Sequence, residues 1–312
     1  MSKIKKSLLV LACIGSVPLL IIALNFPYHY DRPLTPEETE TARRYYAGAY
    51  AKPTVETPTE NESAYLHVAT KAAEDHKIEA QIRAFVDEYK LKDKRVLEVG
   101  SGRGYLQDIV ADYTGLDISS SVARFYYKKF VLGSATAMPF PDDSFDGLWS
   151  IWVFEHVPNP EQAFSEARRV TRNDGVLFLL PAWSVPTWVA EGYPVRPYSD
   201  FGIRGKIIKA SIPLRNSSIF RALMLLPVRA IRVRSAASGP TRLRYQRLSP
   251  NYEKYWMADS DAVNSIDSHE AMLWFISRGD ECLNCGEDGL FFPLSHVPLI
   301  IRVRKADAAP PS

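Results

Sequence analysis

Three closely spaced glycines follow a short apolar run and could bring bare backbone against a small molecule. Gly100, Gly102 and Gly104 lie in the stretch RVLEVGSGRGYLQDIV, residues 95–110. Glycine reaches left-handed backbone conformations and lets a ligand approach the chain closely. A carboxylate stands on either side, Glu98 just before the turn and Asp117 at the end of the next apolar run. This arrangement predicts a small-molecule site at the turn.

Three details separate two ligands that commonly use such a turn, a dinucleotide and S-adenosylmethionine. The dinucleotide fingerprint needs a glycine where this chain has Tyr105. The carboxylate of Glu98 would repel a pyrophosphate but tolerates a sulfonium and an ammonium group. Asp117 can accept hydrogen bonds from the ribose of either ligand. The first two details favour S-adenosylmethionine.

The residues around the turn alternate between short apolar runs and amphipathic helices. Strands are predicted at 95–99, 113–117 and 129–132, within FDGLWSIWVF and at VLFLLP. Helical periodicity runs over 63–91, and a short helix is predicted after the glycine turn. A further helix starts at Asn159 as N-cap and Pro160 as its first residue, and Gly175 follows its end. Such alternation predicts an α/β fold with a doubly wound parallel sheet.

Several segments in this order resemble the class I S-adenosylmethionine-dependent methyltransferases, most closely their small-molecule branch. They are VLEVGSGRGYL, GLDIS and GSATAMPFPDDSFDGLWSIWVFEHVPNPEQAFSEARRVTRNDGVLFLLPAW. The resemblance covers residues 95–181 densely. It implies a Rossmann-like sheet that closes with a C-terminal antiparallel hairpin, and S-adenosylmethionine as cofactor.

The resemblance also implies which residues hold that cofactor. The methionine part would be held by Glu98, Gly100, Ser101, Gly102 and Gly104. Asp117 would bind the ribose, and Ile118 would pack on the adenine. Ser134 and Ala135 stand where the family usually has an Asp–Ala pair, so the acid is replaced by an uncharged acceptor. Trp152 would line the space where cofactor and acceptor meet.

Candidate catalytic groups are few. His156 could take a proton from an acceptor hydroxyl, since histidine titrates near neutral pH. The alternative is a loop histidine bonded to backbone, and positioning alone can supply most of the rate of an in-line methyl transfer. Asp267 and Glu270 are interpreted as the N-cap and capping-box partner of the last helix. His269 is a weaker candidate than His156.

The cysteines predict neither a disulfide framework nor a metal site. Cys282 and Cys285 form half of a zinc pattern without a second half, and Cys13 lies in the N-terminal apolar run. We therefore expect buried or idle thiols and no bound metal.

The N-terminal residues 1–26 are interpreted as a membrane anchor. Lys3, Lys5 and Lys6 precede the uncharged residues 7–26, which are long enough to span a hydrocarbon core as a helix. A cleaved signal peptide is the alternative. The positive-inside rule would place the rest of the chain outside, whereas a cytosolic cofactor favours a catalytic domain on the cytoplasmic side.

The remaining chain divides by composition and pattern. We expect a linker at 27–62, the cofactor-binding core at 63–180, and an insertion that caps the acceptor site at 181–268. Residues 269–304 would complete the core with a helix and strands, and 305–312 form a tail.

The insertion is strongly basic. Residues 203–248 hold eleven Lys or Arg and no Asp or Glu, so removing these eleven from the net charge of +2 leaves −9 elsewhere. Arginines interleaved with bulky apolar residues suit an anionic membrane surface or a lipid-like acceptor. A solvated lid is the alternative; nucleic acid is not expected, because no RNA-binding module is present. The sequence gives no oligomeric state.

Together these features predict a membrane-associated S-adenosylmethionine-dependent methyltransferase. Its acceptor would be a small molecule, a lipid or a lipid-linked saccharide, with O-methylation favoured. The alternatives are a non-catalytic S-adenosylmethionine-binding protein and, less favoured, a nicotinamide-dependent oxidoreductase.

Overall fold

A computed structural model describes residues 34–49, 60–236, 239–252, 255, 257–286 and 297–305, together with Ser16. The helices are α1 (Pro36–Ala49), α2 (Glu60–Asp75), α3 (Ile78–Glu88), α4 (Pro160–Val170), α5 (Thr187–Ala190), α6 (Ile203–Arg215), α7 (Ser218–Ala236) and α8 (Ser268–Ile276). The strands are β1 (Arg95–Val99), β2 (Asp112–Asp117), β3 (Lys129–Leu132), β4 (Phe145–Ile151), β5 (Thr171–Leu180), β6 (Tyr245–Arg247), β7 (Asn264–Ile266), β8 (Glu281–Cys282) and β9 (Leu299–Arg302). Short 3₁₀ turns cover Ser120–Phe125, Phe154–His156 and Tyr198–Asp200.

The main sheet has seven strands in the order β3-β2-β1-β4-β5-β9-β8. The first five are parallel, while β9 runs antiparallel to β5 and β8 antiparallel to β9. This arrangement confirms the predicted Rossmann-like sheet with its antiparallel C-terminal hairpin. In such a sheet, ligands bind beyond the carboxyl ends of the parallel strands.

Alternate side chains along each central strand face opposite layers, because the side-chain period of a strand is two. Leu97 and Val99 of β1 pack in the layer that contains α4 and α8, whereas Val96 packs in the layer that contains α3. The predicted cap of α4 is confirmed, since the Asn159 side chain accepts from the Gln162 N–H. The strands are therefore held from both faces, and their carboxyl ends form a fixed edge.

Two local predictions differ from the structure. The segment 27–62 is interpreted from sequence as a linker, yet α1 lies within it and contacts the core through Tyr46. The helix predicted after the glycine turn is instead a series of turns at 102–108, with hydrogen bonds such as Gln107 N–H to Gly104 O. Only seven residues separate Gly104 from β2, too few for a helix of typical length and its connection.

The predicted membrane anchor is not supported. Among the described residues, no helix combines the length and the apolar character needed to cross a bilayer. The predicted location, a single N-terminal anchor with the catalytic domain on the cytoplasmic side, is contradicted by this finding and is not retained. Apart from Ser16, residues 1–26 lie outside the described residues.

The prediction of idle thiols is wrong. Cys282 and Cys285 form a disulfide, because the turn after β8 brings their Cα atoms to 5.7 Å, within the range that a disulfide bridges.

Two arginines of the basic insertion hold α7 against the start of α8. Arg229 and Arg232 of α7 are buried and pair with Asp267 and Glu270 at the start of α8. Part of the positive charge that suggested a membrane surface is therefore neutralised inside the protein. Contact between the insertion and a membrane stays a prediction.

Candidate functional site

The glycine turn begins where β1 ends, and its first position admits only glycine. Gly100 has a φ of +70°, and its N–H donates to the Leu116 carbonyl over 2.8 Å. A Cβ at this position would come within 2.2 Å of Val153 Cγ2, from the segment that follows β4. Both the backbone conformation and the close approach of Val153 therefore require the absent side chain.

The next amides of the turn are already engaged. The Ser101 N–H donates to the Leu116 carbonyl over 3.1 Å, and the Gly102 N–H donates to Asp117 Oδ2 over 2.9 Å. A pyrophosphate is bound by free N–H groups at such a turn. Three of these groups are used here, so the geometry agrees with the sequence in disfavouring a dinucleotide.

Tyr126 holds the turn through a hydrogen bond. It was not among the residues predicted from the sequence. Its hydroxyl donates to the Gly102 carbonyl over 2.9 Å. A Cβ at Gly115 of β2 would come within 2.7 Å of Tyr126 Cε1, and one at Gly104 within 2.8 Å. A glycine inside a strand signals such an approach, so Gly115 was the clue to a neighbouring aromatic ring.

Glu98 lies beneath the turn as a buried carboxyl group. The Tyr113 hydroxyl hydrogen-bonds its Oε2 atom. Burial raises the pKa of Glu98 to about 8, with the neighbouring Asp117 adding to the rise and the Tyr113 hydrogen bond opposing it. Without a cationic ligand, this group therefore holds its proton at neutral pH.

The protonated state of Glu98 predicts a pH-dependent stability. The folded chain binds this proton more tightly than the unfolded chain, whose pKa is near 4.5, so stability is lost as the pH rises from there towards 8. The Glu98→Gln variant has no such proton to lose. Between pH 6 and pH 8 we expect its free energy of unfolding to improve relative to the parent by about 2 kcal/mol. Urea denaturation of both proteins at the two pH values measures this. If the difference in unfolding free energy between variant and parent is the same at pH 6 and pH 8, the prediction is wrong.

Asp117 and Ile118 lie at the carboxyl end of β2. The Asp117 carboxylate accepts from the Gly102 N–H and, over 2.8 Å, from the Ser119 N–H, although burial raises its pKa. The next side chain, Ile118, is 49% exposed, which is unusual for a large aliphatic residue beside a buried acid. This pair offers an acceptor and an adjacent apolar face, the two features that a ribose and its base require.

Ser134, Ala135 and Trp152 lie at the same edge of the sheet. Gly133, which precedes Ser134, donates its N–H to the Asp117 carbonyl over 2.9 Å and so holds this loop beside β2. Ser134 Oγ shares a hydrogen bond with the Thr136 hydroxyl, and Ala135 is partly buried. Trp152 has a φ of +54°, and its N–H donates to the Leu180 carbonyl. The predicted cofactor residues thus follow the carboxyl ends of four neighbouring parallel strands.

These residues fit S-adenosylmethionine. Gly100 and Gly104 let Val153 and Tyr126 pack directly against the backbone of the turn, and two buried carboxyl groups, Glu98 and Asp117, lie beside it. When bound, the cofactor supplies an electrophilic methyl group on a sulfonium. The residues predicted from the sequence would hold its charged and hydroxyl groups.

A second polar cluster follows β4, a short way beyond the turn. His156 lies between two carboxylates, with Nε2 at 3.7 Å from Glu155 Oε1 and Nδ1 at 3.6 Å from Asp261 Oδ2. Burial alone lowers the pKa of His156, but Asp261, Glu155 and Asp259 outweigh it and raise that pKa. Burial raises the pKa of Glu155 to about 7, and the carboxyl accepts from the Ala182 N–H over 3.0 Å.

Helix α1 completes this cluster. The Tyr46 hydroxyl donates to Asp261 Oδ2 over 2.8 Å, and its ring centroid lies 5.7 Å from that of His156. Neither residue of this hydrogen bond was predicted, because Tyr46 falls in the apparent linker and Asp261 in the insertion. The predicted His156 is therefore part of a buried network of side chains.

The acids at the start of α8 play structural roles. Asp267 caps the helix by accepting from the His269 N–H over 3.3 Å, which agrees with the predicted N-cap. Glu270, the expected capping-box partner, instead binds the Arg232 guanidinium over 2.7 and 2.8 Å. His269 is fully buried, and burial lowers its pKa to about 4, so it stays neutral.

The insertion encloses a cavity of about 220 Å³ between α5, α6, α7 and the β6–β7 hairpin. Its apolar side chains include Phe220, Met224, Leu225 and Val228, and its charged side chains are Arg215, Arg221, Arg229, Arg244, Asp267 and Glu270. Four arginines against two acids leave a formal charge of +2. Burial lowers the pKa of both Arg215 and Arg221, because their guanidinium groups are partly desolvated.

Comparison with known proteins agrees with this geometry. Residues 97–179 match the family model described as a methyltransferase domain. A fatty-acid O-methyltransferase of Mycolicibacterium smegmatis is 28% identical over 188 residues, which are 54% of this chain and 67% of that protein. A phthiotriol/phenolphthiotriol dimycocerosates methyltransferase of Mycobacterium ulcerans is 31% identical over 138 residues, which are 38% of this chain and 51% of that protein.

Among solved structures, a S-adenosylmethionine-dependent methyltransferase of Aquifex aeolicus is 20% identical, with a TM-score of 0.29 over 33% of this chain and 64% of that one. The chain thus spans about half to two thirds of the length of these relatives. The matched segment contains the glycine turn, Asp117, Glu155 and His156. Residues 97–179 are thus similar to a methyltransferase domain, and the methyltransferase relatives imply S-adenosylmethionine as the cofactor.

Proposed function

We propose that this enzyme methylates an oxygen atom of a lipid-like acceptor with an anionic head, which binds in the cavity of the insertion. S-adenosylmethionine would be held by Glu98, Asp117 and the glycine turn, with Ile118, Ser134 and Ala135 at its adenine. Trp152 would face both ligands. His156 would take the proton from the acceptor hydroxyl, as predicted from the sequence.

The observation that carries this proposal is the mixed lining of the cavity. One part is aliphatic and aromatic, which suits an acyl chain, and another part carries the excess of guanidinium groups. A carboxylate or phosphate head would form charge-assisted hydrogen bonds with these groups and offset their desolvation. Pockets of this kind, apolar with a few placed polar groups, are typical of small-molecule sites.

The names of two relatives support the same class of acceptor. One is a fatty-acid O-methyltransferase and the other acts on phthiotriol and phenolphthiotriol dimycocerosates. Both names describe lipids, and the first describes transfer to oxygen. They are names of other proteins that this chain matches in part.

The test is methyl transfer from labelled S-adenosylmethionine to purified long-chain fatty acids and to the matching fatty alcohols. In the Arg244→Gln variant we expect the KM for the anionic acceptor to rise about tenfold with little change in kcat, since one charge-assisted hydrogen bond is lost. Arg244 is exposed and lines the cavity, and no ion pair is seen for it among the described residues.

The matched control is Arg204→Gln, an exposed position on α6 outside the cavity lining. Its KM should equal that of the parent. Failure to label either acceptor, or an equal KM for all three proteins, would contradict an anionic lipid in this cavity.

A further inference from the structure

Glu155, His156 and Asp259 bring three potential metal ligands together outside the cofactor turn. Their candidate atoms, one imidazole nitrogen and two carboxylate oxygens, all lie within 4.8 Å of one another. Val153, two residues before Glu155, packs against Gly100, so the part of the cluster that follows β4 lies close to the turn. None of the sequence patterns predicted a metal here, because the ligands come from two distant segments.

The spacing within the cluster suits a bridging cation better than a hydrogen bond. His156 Nε2 and Glu155 Oε1 are 3.7 Å apart, beyond normal hydrogen-bond range. Bonds of about 2.1 Å to one ion place neighbouring ligand atoms roughly 3.0–3.6 Å apart. The observed separation is therefore close to one edge of a coordination sphere.

The other ring nitrogen of His156 has no hydrogen-bond partner among the described residues, but it faces a carboxylate. Nδ1 faces Asp261 Oδ2 at 3.6 Å, and the same oxygen accepts from the Tyr46 hydroxyl. A histidine that binds a metal usually directs its second N–H towards a carboxylate, which fixes the tautomer and the ring. With its hydrogen on Nδ1, the imidazole presents the Nε2 lone pair to Glu155.

One atom of the cluster is a buried acceptor without a partner. Glu155 is fully buried, and its Oε2 has no hydrogen-bond partner among the residues that the structure describes. Its other oxygen accepts from the neutral Ala182 amide and faces His156. Burying a carboxylate with incomplete hydrogen bonding is costly, and a bound cation would remove that cost.

We propose that Glu155, His156 and Asp259 bind one divalent transition-metal ion, such as Mn²⁺ or Zn²⁺. One imidazole and two carboxylates form a mixed nitrogen and oxygen set, which these ions accept more readily than Mg²⁺, an ion that prefers oxygen alone. Three protein ligands leave coordination positions for a further oxygen ligand. Metal binding itself requires no methyl acceptor, so it stands or falls separately from the proposed substrate.

The test is titration of the purified full-length protein with Mn²⁺, in which electron paramagnetic resonance measures the free ion. Zn²⁺ is then added to compete with the bound Mn²⁺. We expect one Mn²⁺ per chain, displaced by Zn²⁺. Glu155→Gln and Asp259→Asn should each weaken Mn²⁺ binding at least about tenfold. Asp142→Asn changes an exposed acid that pairs with Arg169 and is not part of the cluster; it is the matched control and should bind like the parent.

Calorimetry with S-adenosylmethionine on the same samples checks that each variant is folded. Should Glu155→Gln fail that check, Asp259→Asn decides, because Asp259 is only partly buried. The proposal is overturned if the parent binds neither ion at millimolar concentration. It is also overturned if folded variants of both acids bind Mn²⁺ as tightly as the parent does.

Discussion

Replacing Gly100 by alanine is expected to lower the affinity for S-adenosylmethionine on the order of 100-fold. A φ of +70° costs a residue with a side chain roughly 1–3 kcal/mol. In addition, the new Cβ would lie 2.2 Å from Val153 Cγ2, so the turn and the segment after β4 must move apart. A displacement there would separate the glycine turn from the other residues predicted to face the cofactor, and each 1.4 kcal/mol of lost binding is a factor of ten.

Isothermal titration calorimetry measures this effect, with Gly202→Ala as the matched control. Gly202 has a φ of −67°, and a Cβ there would meet nothing within 4 Å. A double variant, Gly100→Ala with Val153→Ala, should recover part of the affinity because it relieves most of the clash but not the strained φ. Parent-like binding by the single variant would show that the cofactor does not use this turn.

Replacing Arg232 by methionine is expected to lower the free energy of unfolding by about 3–5 kcal/mol. The side chains of Arg232 and Glu270 are only 8% and 6% exposed and share two hydrogen bonds. Removing the guanidinium leaves the Glu270 carboxylate buried without its cation. The contact between α7 and α8 should loosen as a result, and with it the wall of the cavity.

Urea denaturation of the parent, the single variant and an Arg232→Met, Glu270→Met double variant tests this. The double variant should recover most of the loss, because apolar pairs often replace a buried ion pair at little cost. Arg83→Met, which breaks an exposed pair with Glu79 on α3, should cost less than about 1 kcal/mol. A cost of that small size for Arg232→Met would mean that the buried pair does not hold α7 in place.

The sheet and the glycine turn could be predicted because their signals are local. The apolar run before Gly100, the acid that ends β2 and the cap at Asn159 each lie within a few residues of the feature they determine. Secondary structure and a binding turn depend on neighbours along the chain. A sequence therefore carries this information without any knowledge of the tertiary contacts.

The polar networks could not be predicted because their partners are distant in sequence. The charges counted in 203–248 identified the basic insertion. They did not show that Arg229 and Arg232 are neutralised by acids after β7. The same holds for His156, whose neighbour Asp261 lies more than a hundred residues further on. Charge composition describes what a segment carries, whereas tertiary packing decides which charges reach solvent.

The hydrogen bond between Tyr46 and Asp261 has a consequence for how the protein is assembled. These residues are 215 positions apart, and closing so long a loop in a disordered chain costs about 5 kcal/mol of entropy. The contact therefore forms after the strands between them have already brought the two regions together. During synthesis, helix α1 emerges from the ribosome early, and more than two hundred further residues must follow before Asp261 is available to Tyr46.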